Sequence, residues 1–251
     1  MQTRFKKNIL TKTVGALGQQ KISDAKILLC GAGGIGSHLL CNLLSLGIHH
    51  IGIVERDLVE YSNLNRQIIY TVDDIGKSKA ECAGKWALKY SPNIELKVFN
   101  LELNEVTCSK VPFDEYDIIV DCFDSKTSVF LLHKIAIKYD KPLITGGVND
   151  SKGFVLTVFP KETDCLNCFD LLREPEHKID LGVLAPTCSI LASAYSFEVL
   201  KIILGQDNKI INEPVFFDGL LAKTNKPKVV SVGGKCSICG RSQKRIIGVN
   251  Y

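Results

Sequence analysis

The chain has 251 residues, of which 45% are hydrophobic and 23% are charged, a composition typical of a globular protein. Its net charge of +4 is too small to indicate a nucleic-acid or anionic-membrane partner, although it allows a local basic site for a polyanionic ligand. The first ten residues lack the apolar stretch of a signal peptide, and the longest uncharged run, 182–197, is too short to span a bilayer. We therefore expect a soluble, cytoplasmic protein with neither a membrane nor a nucleic-acid partner.

Apolar runs and turn residues alternate along the chain after a polar, partly helical lead-in over residues 1–25. In chain order they predict a strand at 26–30, a helix at 34–46, a strand at 50–54, a helix at 78–90, strands at 94–101 and 117–122, a helix at 126–139 and a strand at 142–145. Strands that alternate with helices are typical of a doubly wound, Rossmann-like parallel sheet. We therefore predict an α/β fold of that kind.

The pattern changes after Gly146 and Gly147. The following residues predict antiparallel strands at 152–160, 214–221 and 226–232, with a polar loop at 173–180 and a long helix at 187–204 between them. One α/β domain over 1–251, with its mostly parallel sheet extended by antiparallel strands, fits this order better than two independent domains.

A glycine-rich turn follows the first strand. Gly31, Gly33, Gly34 and Gly36 lie between that strand and a helix, where glycine lets the backbone approach a phosphate and the helix N-terminus favours negative charge. Glu55 ends the second strand, about 20 residues after the last glycine, the separation at which an acid reaches a ribose hydroxyl. This order predicts a nucleotide site, and NAD and ATP are both open at this point.

Charged residues also follow other predicted strands, at the edge of the sheet where ligands bind. Arg66 belongs to the polar segment 62–67, and Lys79 begins the next helix. Both could bind phosphate, and the alternative is that both are solvated surface charges. Asp124 follows the strand at 117–122, so its carboxylate could hold Mg²⁺ against nucleotide phosphates or could cap the helix that opens at Ser125.

Four of the ten cysteines form two CxxC pairs, Cys165 with Cys168 and Cys236 with Cys239. Four thiolates can hold a tetrahedral zinc ion with no open position, which is a structural site. The alternative is a set of unpaired buried thiols, and the 67 residues between the pairs exceed the usual zinc-ribbon gap. We predict zinc, and we do not expect disulfides in an intracellular chain.

Taken in order, the motifs GAGGIGS, SNLNRQ, GKSKAE, DCFD, CLNC and CSICG resemble those of the ThiF/MoeB superfamily, the prokaryotic relatives of ubiquitin-activating enzymes. The resemblance runs from Arg4 to Gly240. Members of that superfamily use Mg-ATP to adenylate the C-terminal carboxylate of a small protein or peptide, and they work as homodimers. The resemblance therefore implies an adenylyltransferase with ATP as substrate, with Mg²⁺ and Zn²⁺, and with the C-terminus of a peptide or ubiquitin-like protein as its partner.

The resemblance also implies roles for individual residues. It places ATP on the glycine turn, with Glu55 on the ribose, Asp124 on magnesium, and the remaining nucleotide contacts made by Asp57, Asn63, Arg66, Gln67 and Lys79. An arginine from the N-terminal helix of the other subunit completes the site in this family, and Lys7 stands at that position here. A lysine keeps the charge and loses the bidentate geometry, so Arg4 is the alternative cation. In this scheme 1–25 is an arm that contacts the partner subunit, 26–146 is the nucleotide-binding half, and 147–251 is the substrate and zinc half.

Local stretches at 145–150, 183–189 and 236–240 are most similar to the MccB-type peptide nucleotidyltransferases, the branch that makes microcin-type antibiotics. We therefore expect a peptide acceptor slightly ahead of a MoeB-like sulfur carrier, without the additional peptide-binding domain that the branch often carries. Ser125 stands where the family usually has asparagine. No cysteine occurs between residues 169 and 186, so we expect no thioester or persulfide step. CTP in place of ATP stays open, and an NAD-dependent oxidoreductase is a remote alternative.

Overall fold

The computed structural model describes residues 4–171, 182–206 and 212–247, so the predicted polar loop at 173–180 lies outside the described residues. Six α-helices are present in these ranges: α1 (Lys6–Ile9), α2 (Gly15–Asp24), α3 (Gly34–Leu46), α4 (Lys79–Tyr90), α5 (Lys126–Tyr139) and α6 (Ala185–Leu204). The strands in the same ranges are β1 (Lys26–Cys30), β2 (His50–Glu55), β3 (Glu95–Asn100), β4 (Ile118–Asp121), β5 (Leu143–Asn149), β6 (Lys152–Val158), β7 (Val215–Asp218), β8 (Lys223–Asn225), β9 (Lys228–Lys235) and β10 (Ser242–Ile247).

The first eight strands form one sheet in the order β3-β2-β1-β4-β5-β6-β7-β8, within the part of the chain that is described. The first five strands in this order are parallel, and β6, β7 and β8 add to them in antiparallel register. This arrangement confirms the predicted mostly parallel sheet with an antiparallel extension. The chain moves to opposite sides of β1 to form β2 and β4, so a topological switch point lies at the carboxyl end of β1.

The sheet separates two apolar cores. Ile27 and Leu29 of β1 belong to the core that α3, α4 and α6 cover, whereas Leu28 and Cys30 belong to the core that α5 covers. Because both faces of β1 are buried, its sequence is a continuous apolar run after Lys26. The strand is held rigidly, and the residues that follow it are placed at the sheet edge with little freedom.

Several boundaries differ from the sequence prediction. The lead-in contains α2, which packs against α6 and buries Ile22 completely. β5 continues to Asn149 because its residues pair along their whole length with β6. The predicted strand at 226–232 is β9, which pairs with β10 in a separate two-stranded ribbon, and neither β8 nor β10 was predicted.

Helix α6 corrects the expectation that no segment is long enough to cross a bilayer. Its 20 residues include a window with a mean hydropathy of 1.5, which passes the test of length and composition among the described helices. Half of that window is buried inside the protein, as in the core helix of a soluble protein, so this is weak evidence for a membrane span. Glu198 and Lys201, which interrupt the apolar run, form an ion pair with each other.

Candidate functional site

The glycine turn has a geometry that requires glycine at two positions. Gly31 has a φ of +99°, and a Cβ atom on it would lie 2.5 Å from the backbone oxygen of Cys122. A Cβ atom on Gly36 would lie 2.0 Å from the backbone oxygen of Gly31. The turn is therefore closed tightly between β1, β4 and the first turn of α3, with the N-terminus of α3 at the switch point of the sheet.

Glu55 fastens this turn to the end of β2. Its buried carboxylate accepts hydrogen bonds from the backbone N–H of Ala32 at 2.8 Å, of Arg56 at 2.6 Å and of Asp57 at 2.8 Å. Three bonds leave room for one further donor, because an ionised carboxylate has about four acceptor positions. Glu55, which we predict to bind the ribose, therefore also has a structural role.

The segment after β2 brings Arg66 and Gln67 to the glycine turn. Arg66 is half-buried, and its guanidinium donates to the backbone oxygen of Ser62 at 3.1 Å and to the side-chain oxygen of Asn65 at 2.9 Å. Gln67 is 3% exposed and lies beside Gly33, and its Oε1 is buried without a hydrogen-bond partner in the described structure. A buried amide without a partner is costly, so this group is poised for a ligand.

Asn63 has a structural role that the sequence did not indicate. Its side-chain oxygen accepts a hydrogen bond from the backbone N–H of Glu60 at 3.1 Å and closes the short 3₁₀ turn Tyr61–Asn63. Only its amide nitrogen remains as a donor for the predicted nucleotide contact.

Lys79 is a buried cation at the start of α4. Its side chain is only 6% exposed and lies 3.2 Å from the Asp57 carboxylate. The predicted ATP ligand Asp57 therefore holds Lys79 in place. Because Lys79 is buried, the alternative of a solvated surface charge is wrong for it.

The residues that follow β4 form the opposite side of the same crevice. The buried Asp121 accepts from the Thr145 hydroxyl at 2.9 Å and from the backbone N–H of Phe123 at 3.1 Å, and burial raises its pKa to about 7. Asp124 is exposed. Helix α5 begins at Lys126 with Ser125 as its N-cap, so Asp124 lies before the cap position. Asp124 is therefore not the cap residue of α5, and its contact with magnesium stays a prediction.

The N-terminal cations lie beside the C-terminal ends of α3 and α4. Asn8 of α1 donates to the backbone oxygen of Leu46 at the C-terminal end of α3, whereas the glycine turn precedes the N-terminal end of that helix. A helix of 13 residues is about 20 Å long. Lys7 is exposed on α1 and is therefore not brought together with the nucleotide residues of its own chain.

Arg4 is engaged within its own chain. Its guanidinium donates to the backbone oxygen of Tyr90 at 3.1 Å and stacks 4.9 Å from the centroid of the Tyr90 ring. This contact engages the alternative trans cation, whereas Lys7 forms no side-chain hydrogen bond or ion pair within the described residues, and both residues are exposed.

The two CxxC pairs converge as predicted. The sulfur atoms of Cys165, Cys168, Cys236 and Cys239 all lie within 4.8 Å of one another, with individual separations of 3.8, 3.6 and 3.2 Å. Zinc–sulfur bonds of about 2.3 Å in a tetrahedron place sulfur atoms about 3.8 Å apart, which matches this cluster. Burial raises the pKa of Cys236, but hydrogen bonds from Asn167 and from neighbouring backbone N–H groups outweigh it and lower the pKa to about 7. The four cysteines could therefore hold a metal ion.

The model of the ThiF family matches residues 5–237. The chain belongs to the ThiF family. The sequence-based resemblance is confirmed.

The chain is similar in sequence to two named adenylyltransferases and in structure to E. coli MccB. It is 32% identical over 233 residues to a Porphyra purpurea protein named as a probable molybdopterin-synthase adenylyltransferase, covering 91% of this chain and 61% of the relative. It is 28% identical over 246 residues to the sulfur carrier protein adenylyltransferase of Thermus thermophilus, covering 94% and 90%. The crystal structure of E. coli MccB with ATP superimposes with a TM-score of 0.80 at 26% identity, covering 95% of this chain and 74% of that one. The chain thus spans about three fifths of the algal relative's length.

Two contacts in this ThiF-family site were missed from the sequence. The buried phenol of Tyr70 donates to the backbone oxygen of Ala32 at 2.9 Å and ties the glycine turn to the segment before α4. The His38 ring lies 3.1 Å from the Ser189 hydroxyl and links α3 to α6. The partners in these two contacts are 38 and 151 residues apart in sequence, so no local pattern could indicate the contacts.

Proposed function

We propose that this chain is an ATP-dependent adenylyltransferase that activates the C-terminal carboxylate of a ubiquitin-like sulfur-carrier protein. The observation that carries the proposal is the donor set around the glycine turn. Arg66, Gln67 and the buried Lys79 lie on one side of the switch point, and the exposed Asp124 carboxylate lies on the other. Fixed cations, an amide and one free carboxylate suit a magnesium-bound triphosphate better than a dinucleotide.

The proposed reaction explains why the site has cations rather than a base. A C-terminal carboxylate has a pKa of about 3.5 and is already ionised at neutral pH. Its oxygen attacks the α-phosphorus of ATP, the bond from that phosphorus to the bridging oxygen breaks, and pyrophosphate leaves with the electron pair. The barrier comes from bringing two anions together, which Arg66 and Lys79 lower by stabilising charge on the phosphates.

The nucleotide residues have separate tasks in this proposal. Gly31, Gly33, Gly34 and Gly36 give the phosphates access to backbone N–H groups, and Glu55 uses its fourth acceptor position for a ribose hydroxyl. Gln67 presents its Oε1, an acceptor without a partner among the described residues, to a donor on the ligand such as a ribose hydroxyl. Magnesium, when bound at Asp124, would neutralise charge on the triphosphate.

We also propose that the enzyme works as a homodimer. Lys7 is exposed and about one α3 length, roughly 20 Å, from the glycine turn of its own chain. Only a second copy could bring it to the phosphates. The arm over 1–25 would then contact the partner subunit. The chain forms one domain, and its 26–146 half binds ATP.

A structural zinc ion completes the proposal for the 147–251 half. All four cysteines would be ligands, so no position is open for chemistry, and the ion would join the segment after β6 to the β9–β10 ribbon.

The acceptor is proposed from the relatives. Sequence motifs placed an MccB-type peptide slightly ahead, whereas the Thermus relative, 90% of which this chain covers, is named a sulfur carrier protein adenylyltransferase. MccB supports the ATP site through its crystal structure with ATP. The sulfur carrier is therefore the acceptor we propose, and a peptide is the competing outcome of the experiment.

Pyrophosphate exchange tests this proposal. The purified protein, labelled pyrophosphate and each nucleoside triphosphate would be mixed with a sulfur carrier or with candidate peptides encoded beside the gene. We expect label to enter ATP only when the carrier is present. Lys79→Met and Asp124→Asn should abolish exchange, whereas the matched changes Lys85→Met and Asp114→Asn at exposed positions should not.

Exchange that depends on a peptide and not on the carrier would replace the proposed acceptor. No exchange with any carboxylate, together with tight NADH binding, would overturn the adenylyltransferase proposal. An Asp124→Asn variant with full activity would remove that residue from the magnesium site.

A further inference from the structure

The charges of this chain are distributed unevenly. Residues 219–247 contain seven lysines and arginines and no aspartate or glutamate. Since the whole chain has a net charge of only +4, the rest of it is net acidic. A region with one sign of charge on a protein of the other sign produces a local field that orients charged partners.

Two of the seven cations are used within the protein. Lys244 forms an ion pair with Asp164, and the guanidinium of Arg241 donates to the backbone oxygen of Lys161. These contacts attach the β9–β10 ribbon to the segment that follows β6. They leave five cations for other purposes.

The other five cations form what we call the basic ribbon: Lys223, Lys226, Lys228, Lys235 and Arg245. All five are exposed, and within the described ranges none of them makes an ion pair. They lie on β8, on the connection to β9 and on the ribbon itself, where Arg245 pairs with Val230 and Ile247 pairs with Lys228. Four thiolates with one Zn²⁺ would carry a net charge of −2, which the five cations still outweigh.

Apolar residues accompany the basic ribbon. Leu220 is 78% exposed and Leu221 is 63% exposed in the turn before β8, and Val232 and Ile247 are about half exposed on the ribbon. Protein partners use such a mixture, with apolar contacts for affinity and charges for orientation and association rate.

The composition of this region favours a protein over a nucleic acid. Residues 219–247 contain no phenylalanine, tryptophan or tyrosine on which bases could stack. Four of the five free cations are lysines, which lack the planar, bidentate geometry that makes arginine common at phosphate contacts.

We propose that the basic ribbon docks an acidic face of the folded protein whose C-terminus is adenylated. This inference rests on the proposed function and deepens it, because it distinguishes a folded carrier from a short peptide. A short peptide is recognised at its reacting end, whereas a folded carrier has a second surface that the ribbon can attract. The ribbon raises the effective concentration of the carrier at the site and has no part in the chemistry.

Charge reversal tests the docking surface. The triple variant Lys226→Glu, Lys228→Glu, Arg245→Glu would be compared with a control triple at exposed positions elsewhere, Lys85→Glu, Lys89→Glu, Lys110→Glu. Carrier-dependent pyrophosphate exchange would be measured with an acidic sulfur carrier and with a synthetic peptide of its C-terminal residues. Each of the three cations would pair with an acidic residue at the edge of the interface. Because the loss of three such pairs adds up, we expect the KM for the carrier to rise about tenfold or more.

The result expected is a raised KM for the carrier in the ribbon triple, with unchanged KM for ATP, unchanged exchange with the peptide, and unchanged zinc content as a check of folding. The wild-type KM for the carrier should rise with salt, and that of the ribbon triple should rise less. A ribbon triple with the KM of the control triple would overturn the docking proposal while leaving the adenylyltransferase proposal intact.

Two other results would also overturn the proposal. Polyuridine RNA that binds the wild type more tightly than the carrier, and that loses binding in the ribbon triple, would make the surface a nucleic-acid site. A changed oligomeric state in the ribbon triple, with no change in carrier KM, would make it an interface between copies of this chain. If the wild type shows no exchange with carrier or peptide, the proposed function itself has failed.

Discussion

Replacement of Glu55 by glutamine tests whether its carboxylate holds the glycine turn in the geometry that ATP binding needs. One carboxylate oxygen accepts from Arg56 and Asp57, and the other accepts from Ala32 in the glycine turn. Glutamine can keep the first pair of bonds with its oxygen, but it then turns its NH₂ group toward the N–H of Ala32. One charge-assisted bond is lost and two donors face each other.

The loss of stability in Glu55→Gln follows from the single hydrogen bond between the carboxylate and the Ala32 N–H. A buried hydrogen bond to a charged group contributes about 1.5–3 kcal/mol, so we expect Glu55→Gln to lower the free energy of unfolding by about 2–3 kcal/mol. For a chain of this size the change corresponds to a fall in Tm of about 4–12 °C. The affinity for ATP should fall as well, because the displaced Ala32 N–H belongs to the turn that receives the phosphates.

Differential scanning calorimetry and titration calorimetry with ATP measure the two effects. Glu105→Gln removes the same charge from an exposed position and should shift Tm by less than about 2 °C. A Glu55→Gln protein with the Tm of this control would refute the reasoning that the carboxylate holds the glycine turn. A lower Tm with unchanged ATP affinity would remove the turn from the nucleotide site.

Three further predictions concern buried groups. Because burial raises the pKa of Asp121 to about 7, the folded state holds a proton that the unfolded chain loses near pH 4, so stability falls as pH rises from about 4 to 7. Asp121→Asn should remove this decline, which is on the order of 3 kcal/mol between pH 5 and pH 8, in thermal unfolding at those two pH values. His133 is buried without partners for either ring nitrogen in the described structure, and burial lowers its pKa to about 3. The stability that depends on a neutral His133 is therefore lost as pH falls from about 6.5 toward 3. His133→Leu should raise Tm at pH 4 more than at pH 7. Equal Tm shifts at the two pH values would contradict the lowered pKa of His133. Metal analysis should find one zinc per chain in the wild type and in Cys41→Ser, and none in Cys236→Ser, and zinc retained by Cys236→Ser would exclude the four-cysteine site.

Local sequence signals were sufficient for the nucleotide-binding half of the fold. Helix α3 begins at Gly34 and ends before Gly47, whose φ of +99° stops it, and both glycines are visible in the sequence. Helix α5 also matches its prediction to the residue. The strands β1 to β5 are apolar enough on both faces to be recognised as a parallel sheet, apart from the exposed edge strand β3.

The second half was harder to predict because its structure depends on distant contacts. β8 has only three residues, all exposed, so it has no apolar pattern. The ribbon of β9 and β10 is mostly exposed, and its contacts with the rest of the protein include one ion pair and cysteines 71 residues apart in sequence.

The sequence did not show which contacts the predicted site residues make within the protein. Glu55 and Asn63 stand at the site, yet both also make backbone hydrogen bonds that no motif reveals. The contact of Arg4 with Tyr90 spans 86 residues and could not be deduced from composition. Motifs indicate candidate ligand-binding side chains, whereas the hydrogen bonds that those side chains make within the protein need the coordinates.

Intact mass spectrometry of the acceptor tests the central claim most directly. A sulfur carrier would be incubated with the protein, MgATP and pyrophosphatase, beside the same carrier with an amidated C-terminus. We predict that the free carboxylate gains the mass of one adenylate and that the amidated carrier gains nothing. Equal labelling of both carriers, or no adenylate on either, would contradict the proposal that this site activates a C-terminal carboxylate.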